Sequence, residues 1–346
     1  MISLLVVNYR SAALAADAIR TARASTSHAL QVVVVDNSCA AAEAEALRAH
    51  ADTVLVADRN RGYSGGINLG RPACTGQTII VSNPDVTFAA GAIDRLHDAL
   101  GGAAVAGPAL FWDEGHRWML PPGDLNTAAG KFDEVLAGRS RAWREQRDRR
   151  RFRKRVAFWS RQETTATRML SGAVMAIRAA DFDRAGGFDE RFPLYFEESD
   201  FLRRIAALRG RIVYVPAARC RHLFNQSAAQ VPGEASAHYA QSELRYLEKW
   251  NGPFAGLTLK RLERPLPAVE AVPLRLPLQL PLQMNRDDVV IEASPLATFG
   301  TAAGSFPTTR EIDVPPEILA SMNGDLYLRV VVRETGRVLG TYKIMA

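Results

Sequence analysis

Gln31-Val32-Val33-Val34-Val35-Asp36-Asn37-Ser38 decides the fold. The apolar run to Val35 reads as a buried strand, and Asp36-Asn37-Ser38 as its polar end. Upstream, Ser3 to Val7 is a second apolar run and Ala12 to Ala24 has helical periodicity, so the chain opens strand, helix, strand. Downstream come a helical stretch from Ala40 to Ala49 and a strand from Thr53 to Ala57. A glycine-rich stretch, Asn60-Arg61-Gly62-Tyr63-Ser64-Gly65-Gly66-Ile67-Asn68-Leu69-Gly70, then leads towards an apolar run from Thr78 to Ser82. This order predicts an α/β fold with a Rossmann-like, mostly parallel mixed sheet and helices on both faces. Ligands of such sheets bind beyond the carboxyl ends of the strands, where Asn8, Asp36 and Asp85 fall.

The pattern continues with a helical stretch from Gly91 to Leu100. A less regular region follows, holding Phe111, Trp112 and Trp118. Periodicity returns between Arg168 and Ile177, where Ser171-Gly172-Ala173 enters a strand. After the turn Gly186-Gly187-Phe188-Asp189-Glu190, a helix begins at Glu197, places Phe201, Leu202, Ile205 and Leu208 on one side, and stops at Gly210. Composition shifts near Arg264 to a proline-punctuated, leucine-rich stretch. Alternation from Leu326 to Val332 and from Val338 to Ile344, around Glu334-Thr335-Gly336-Arg337, predicts a hairpin. The expected division is therefore 1–264, with halves 1–105 and 106–264, and an all-β, sandwich-like accessory domain at 265–346.

The chain has 346 residues, 47% hydrophobic and 23% charged, which is enough for one large globular domain and a small one. No apolar run approaches the roughly 20 residues that span a bilayer. The start, Met1 to Val7, reads as a strand rather than a leader, so a cytoplasmic location is expected. Cys39, Cys74 and Cys220 have no CxxC spacing, which argues against both a disulfide framework and a zinc site. Much of the net charge of +6 comes from segment 141–155, with Arg141, Arg144, Arg147, Arg149, Arg150, Arg151, Arg153, Lys154 and Arg155. Three readings stand open for it: a solvated helical face or mobile loop, a rest on anionic lipid at the inner face of the plasma membrane, or a nucleic-acid contact. No recognised nucleic-acid module accompanies the arginines.

Two acidic groups carry the chemistry. Asn83-Pro84-Asp85 ends an apolar strand, and Glu197-Glu198-Ser199-Asp200 opens a helix over a hundred residues later. With Val6-Val7-Asn8-Tyr9, Val34 to Ser38, the glycine-rich stretch, Ser171-Gly172-Ala173, Gly186 to Glu190, Tyr195-Phe196 and His222, their order and spacing resemble a family 2 glycosyltransferase of the GT-A fold. The rhamnosyltransferase-like branch is the most similar. The likeness covers about residues 1 to 250, and the accessory domain lies outside it.

That resemblance implies a nucleotide-diphospho-sugar transferase. Its divalent cation, magnesium or manganese, would be held by Asp85 and His222, although Asn83 stands where many relatives carry a first aspartate. Glu198 takes the position of the general base, with Glu197 as the alternative, and Asp200 caps the helix or orients a neighbour. Asp36 would accept from the pyrimidine imide of a dTDP- or UDP-sugar, with Asn8, Tyr9 and Arg10 around base and ribose. Asn60, Gly62, Gly66 and Asn68 would let the backbone approach the nucleotide. Ser171, Gly172 and Ala173 would line the acceptor side, with Phe188 and Tyr195 beneath. Trp112 is a stacking candidate for an acceptor sugar, or a core residue. The expected activity is inverting transfer of a sugar such as rhamnose from dTDP-rhamnose to a hydroxyl of a bacterial surface glycan or glycoconjugate. The competing readings are an inactive sugar-binding scaffold on the same fold and a nucleic-acid binder.

Overall fold

The computed structural model describes residues 1–121, 123–223, 232–322 and 324–345, with the side chains of all of these except 232–236. Two compact units emerge. The first comprises Met1–Ala109, Gly123–Asn126 and Gln162–Gly256, and the second Leu110–Pro122, Thr127–Arg161 and Leu257–Ala346. Where the sequence suggests a single cut after Arg264, contact density thus gives a second unit that also includes residues 127–161.

The first unit is built on a nine-stranded sheet. Its strands are β1 (Ile2–Asn8), β2 (Leu30–Asp36), β3 (Thr53–Val56), β4 (Thr78–Ser82), β5 (Val86–Phe88), β6 (Val105–Phe111), β7 (Thr165–Ala166), β8 (Val174–Arg178) and β9 (Ile212–His222). They run in the order β3-β2-β1-β4-β8-β6-β9-β5, with β7 alongside β9. β1 and β4 are buried over their whole length, which is why their sequences are continuous rather than alternating apolar runs. Pairing is parallel across β3, β2, β1 and β4. Beyond β4 the pairings of β8 with β4 and β6, and of β9 with β5 and β7, are antiparallel. The sheet is therefore mixed.

Helices α1 (Ala12–Ala24) and α2 (Ala41–Arg48) follow β1 and β2. The glycine-rich stretch is not a loop; it forms helix α3 (Gly62–Gly70). Glycine is a poor helix former in isolation. Here it removes atoms that would collide with the sheet: a Cβ at Gly70 would lie 2.3 Å from Leu5 Cδ1, and one at Gly66 would lie 2.6 Å from Val7 Cγ1. Helix α4 (Ala92–Ala99) precedes β6, and helix α7 (Ala179–Arg184) follows β8.

The second unit holds helices α5 (Ala128–Arg139) and α6 (Arg141–Trp159) and a five-stranded sheet. Its strands are β10 (Val272–Leu274), β12 (Val289–Ser294), β13 (Ala303–Ser305), β15 (Tyr327–Val332) and β16 (Val338–Ile344), while β11 (Leu278–Gln279) and β14 (Glu311–Ile312) form a separate ribbon. The expected hairpin is β15–β16. The five-stranded sheet is packed by a helix: Phe152 and Trp159 of α6 cluster with Val290 and Val331. Gly304 makes room for this: a Cβ there would fall 2.2 Å from the Trp159 ring.

The basic segment is thus a helix with much of its charge consumed within its own unit. Arg147 pairs with Asp133 and Glu134, Arg150 with Asp133, and the Arg151 guanidinium donates to Gly300 O. Arg155 and Arg329 close on the two oxygens of fully buried Glu292, at 2.6 Å each. Buried ions survive only when compensated in this way. No helix among the described residues is long and apolar enough to cross a membrane.

Candidate active site

Helix α8 (Glu197–Ala207) begins after two consecutive residues in the left-handed region, Tyr195 (φ 66°) and Phe196 (φ 67°). Non-glycine residues pay about 1–3 kcal/mol each for this conformation, so the surroundings must enforce it. They do so through aromatic packing of Phe192, Phe196 and Tyr246, with Tyr195 and Trp250 against them. The kink delivers Glu197, Glu198 and Asp200 into the first helical turn, where the helix dipole favours negative charge.

The two glutamates differ. Glu197 is buried, and its Oε2 has no hydrogen-bond partner. Glu198 is half-buried, accepts from Ser199 Oγ at 3.3 Å, and lies along Gly172, where an added Cβ would meet its own Cβ at 3.2 Å. Burial raises both acids above the ordinary glutamate range, and the charge of Glu198 raises Glu197 further. A carboxyl held this way is matched to proton transfer nearer neutrality.

Asp85 and His222 meet through strand register. The antiparallel pairing of β5 and β9 sets Val86 opposite His222, and the Leu223 amide donates to Asp85 O. Asp85 Oδ1 then lies 3.3 Å from His222 Nε2, with both side chains buried. Burial would lift the Asp85 carboxyl, but the imidazole's charge and hydrogen bond outweigh it and hold it below the usual aspartate value. Asn83 Nδ2 is 3.5 Å from the same imidazole nitrogen, and its backbone N–H donates to Ala173 O at 2.8 Å. Among the described residues no cluster of three or more His, Cys, Asp or Glu side chains gathers. One carboxylate and one imidazole nonetheless fit a magnesium or manganese site completed by phosphate oxygens and water.

Tyr63, overlooked as a site residue from sequence, lies between the two groups. Its hydroxyl donates to Gly172 O at 3.1 Å and its N–H to Pro193 O at 2.7 Å. Burial, then the charges of Glu197, Glu198 and Asp85, push its phenol well above the ordinary tyrosine value. One side chain therefore senses all three carboxylates, and those residues share one electrostatic neighbourhood. Ser171, Gly172 and Ala173 border it, with Ser171 Oγ accepting from the Ala173 N–H at 3.3 Å. Phe188 instead stacks on Phe201 at 4.5 Å between ring centres.

The nucleotide-side residues are held largely by one another. Asp36 is fully buried, and its oxygens accept from Asn8 Nδ2 (3.0 Å), the Ser38 N–H (3.1 Å) and Ser38 Oγ (2.8 Å). Asn8 is equally buried and also bonds Glu43. This pair ties the ends of β1 and β2 together; Tyr9 is half-buried and Arg10 exposed, with its guanidinium 5.3 Å from the Tyr9 ring centre. Asn60 Oδ1 accepts from the Gly62 N–H as α3 starts. Asn68 clamps Phe188 through both its N–H and its carbonyl. Gly62 and Gly66 allow chain to approach chain. At Gly62, φ is +70° and a Cβ would fall 2.5 Å from Pro193 O. Gly62→Ala is therefore expected to cost about 1–3 kcal/mol in denaturant unfolding; an unchanged midpoint would contradict this packing.

Trp112 takes the core alternative. It is 1% exposed and donates from Nε1 to Ser321 Oγ at 3.1 Å within the second unit.

The model of the glycosyltransferase-like family 2 matches residues 1–240. The N-acetylglucosaminyl-diphospho-decaprenol L-rhamnosyltransferase of Mycobacterium tuberculosis (strain CDC 1551 / Oshkosh) is 29% identical over 191 residues, covering 50% of this chain and 56% of that protein. Rhamnosyltransferase WbbL of Escherichia coli (strain K12) is 30% identical over 79 residues, 23% of this chain and 30% of its own. The chain thus spans about half the length, or less, of these curated relatives. Among solved structures, the mannosyltransferase PcManGT from Pyrobaculum calidifontis, in complex with GDP-Man and Mn2+, aligns with a TM-score of 0.49 at 15% identity, over 75% of this chain and 73% of that one. With the family model spanning the whole run from β1 through His222, and so both acidic groups, the chain belongs to glycosyltransferase-like family 2.

Proposed function

We propose that the protein is an inverting glycosyltransferase that moves a sugar from a pyrimidine nucleotide diphosphate to an acceptor hydroxyl. The placing of two groups along one short segment carries this reading: Glu198 lies against Gly172, and Asn83, bonded to Ala173 O, reaches the imidazole that pairs with Asp85. Glu198 is the better placed base, since it is less buried than Glu197 and runs along Gly172 at the acceptor side. The acceptor oxygen forms a bond to the anomeric carbon as its proton passes to Glu198. The bond from that carbon to the diphosphate breaks on the opposite face, and its electron pair leaves with the nucleotide. When bound, a divalent cation held by Asp85 and His222 would offset the charge developing on the diphosphate. Asn83, tied to Ala173, keeps the metal side and the acceptor side at a fixed spacing.

Rhamnose from dTDP-rhamnose is the proposed donor, supported by the two rhamnosyltransferase relatives. A hydroxyl of a bacterial surface glycan or glycoconjugate is the proposed acceptor. A screen of dTDP- and UDP-sugars for nucleotide release, with and without manganese, tests the reading; no release from any of them would refute it.

The pH dependence follows from the raised glutamate. A base works only when ionised, so transfer is low while Glu198 is protonated and rises as pH passes through its folded-state value. The acid limb of kcat/KM is expected above the ordinary glutamate value of 4.5. A limb at or below that value would remove burial from the account.

A further inference from the structure

Asp200 stands two residues beyond Glu198 and is fully buried, yet it does not cap α8. One of its oxygens accepts from Lys249 Nζ at 2.6 Å and Trp250 Nε1 at 2.9 Å, and the other from Arg204 Nε at 2.8 Å. Lys249 and Trp250 end helix α9 (Pro232–Asn251). The same ammonium reaches Asp189 Oδ2 at 2.7 Å, on the turn that Asn68 clamps through Phe188. One cation therefore joins three separate pieces of chain.

Arg204 and Lys249 both reach beyond the helix. Arg204 lies on α8, bonds Asp200 within it, and donates from a second guanidinium nitrogen to Ala185 O. Lys249 and the 186–190 turn lie outside α8 and supply a fixed reference for it. A side chain on a helix extends about 5–6 Å from the axis, so a rotation of about 10° moves its end by about 1 Å. A displacement of that size costs about 100-fold when it misaligns reacting groups.

We infer that Lys249 is a positioning residue of the transfer site: by bridging Asp189 and Asp200 it fixes the rotation of α8 and thus where the Glu198 carboxylate points. This rests on the reading of Glu198 as the base. Lys249 lines an open groove of about 370 Å³ together with Asp189, Glu190 and Arg204, so a larger cation can be seated in its place.

The test uses the full chain with Lys249→Met, Lys249→Arg, Asp200→Asn and the Asp200→Asn/Lys249→Met double variant. Release of dTDP from dTDP-rhamnose with manganese gives kcat and KM, calorimetry gives dTDP affinity, and amide hydrogen exchange is followed across residues 197–203. Lys249→Met is expected to lose about 10- to 100-fold in kcat, with KM and dTDP affinity within about twofold and faster exchange in the first turn of α8. Lys249→Arg should recover most of the loss, since a guanidinium can fork between two carboxylates. The double variant should be no worse than the worse single one, because both break the same link. The inference is overturned by a Lys249→Met kcat within twofold of wild type, by an arginine variant as defective as the methionine one, or by a loss matched by falling dTDP affinity. If the wild-type protein releases no nucleotide from any dTDP- or UDP-sugar, the proposed function fails instead. Exchange then decides on Lys249 alone, with unchanged protection across 197–203 overturning the lock and faster exchange supporting it.

Discussion

Glu198→Gln is expected to lower sugar transfer by about 10²–10⁴-fold while dTDP affinity stays within about twofold. Glutamine keeps the length of the side chain, its packing along Gly172 and an oxygen for the Ser199 hydroxyl. It cannot take a proton from the acceptor. Glu197→Gln is the matched control: it relieves a buried charge whose Oε2 has no partner and leaves the base in place, so its loss should be at least tenfold smaller. Single-turnover assays with both variants separate the two acids. Full turnover by Glu198→Gln would take Glu198 out of the mechanism, and the reverse ranking would hand the role to Glu197.

Asp85→Ala should abolish the manganese dependence of donor binding and lower kcat/KM by about 10²-fold or more, since Lewis-acid stabilisation is worth several kcal/mol and each 1.36 kcal/mol is a decade in rate. His222→Ala should act in the same direction but less strongly, because the carboxylate that supplies the formal charge remains. Calorimetric titration of dTDP with and without manganese reads both variants. Activity that survives EDTA in the wild-type protein would argue against any metal at the Asp85–His222 pair.

What sequence reading could reach follows a physical divide. β1, β2 and β4 are legible because strands buried on both faces must be apolar throughout, whereas Asp85, Glu198 and His222 are marked out only by the family resemblance, since a lone acid after a strand or at a helix start reads equally as a cap. The glycine-rich stretch misleads because glycine reads as a breaker, whereas its value here is a close approach of α3 to Leu5, Val7 and Val35 that only the assembled sheet reveals. Asp36 is placed correctly at the end of its strand, but its hydrogen-bond partners, Asn8 and Ser38, occupy the carboxylate. Tyr63 and Lys249 act across separations of 109 residues to Gly172 and 60 residues to Asp189, and no local pattern announces either contact. The same holds for α6, whose arginines look like a solvated stripe until Glu292 and Asp133 are brought to them.

The chain passes repeatedly between the two compact units before ending in the second. Such interleaving rules out a detachable cassette. Cutting at Arg264 would strip Phe152 and Trp159 of Val290 and Val331 and leave Arg155 without its counterion, so a shortened protein would report on a damaged remnant rather than on a lost accessory. For the same reason, exchange between relatives would have to move residues 110–122, 127–161 and 257–346 as one inherited block, since grafting the terminal strands alone would part α6 from the residues it packs on.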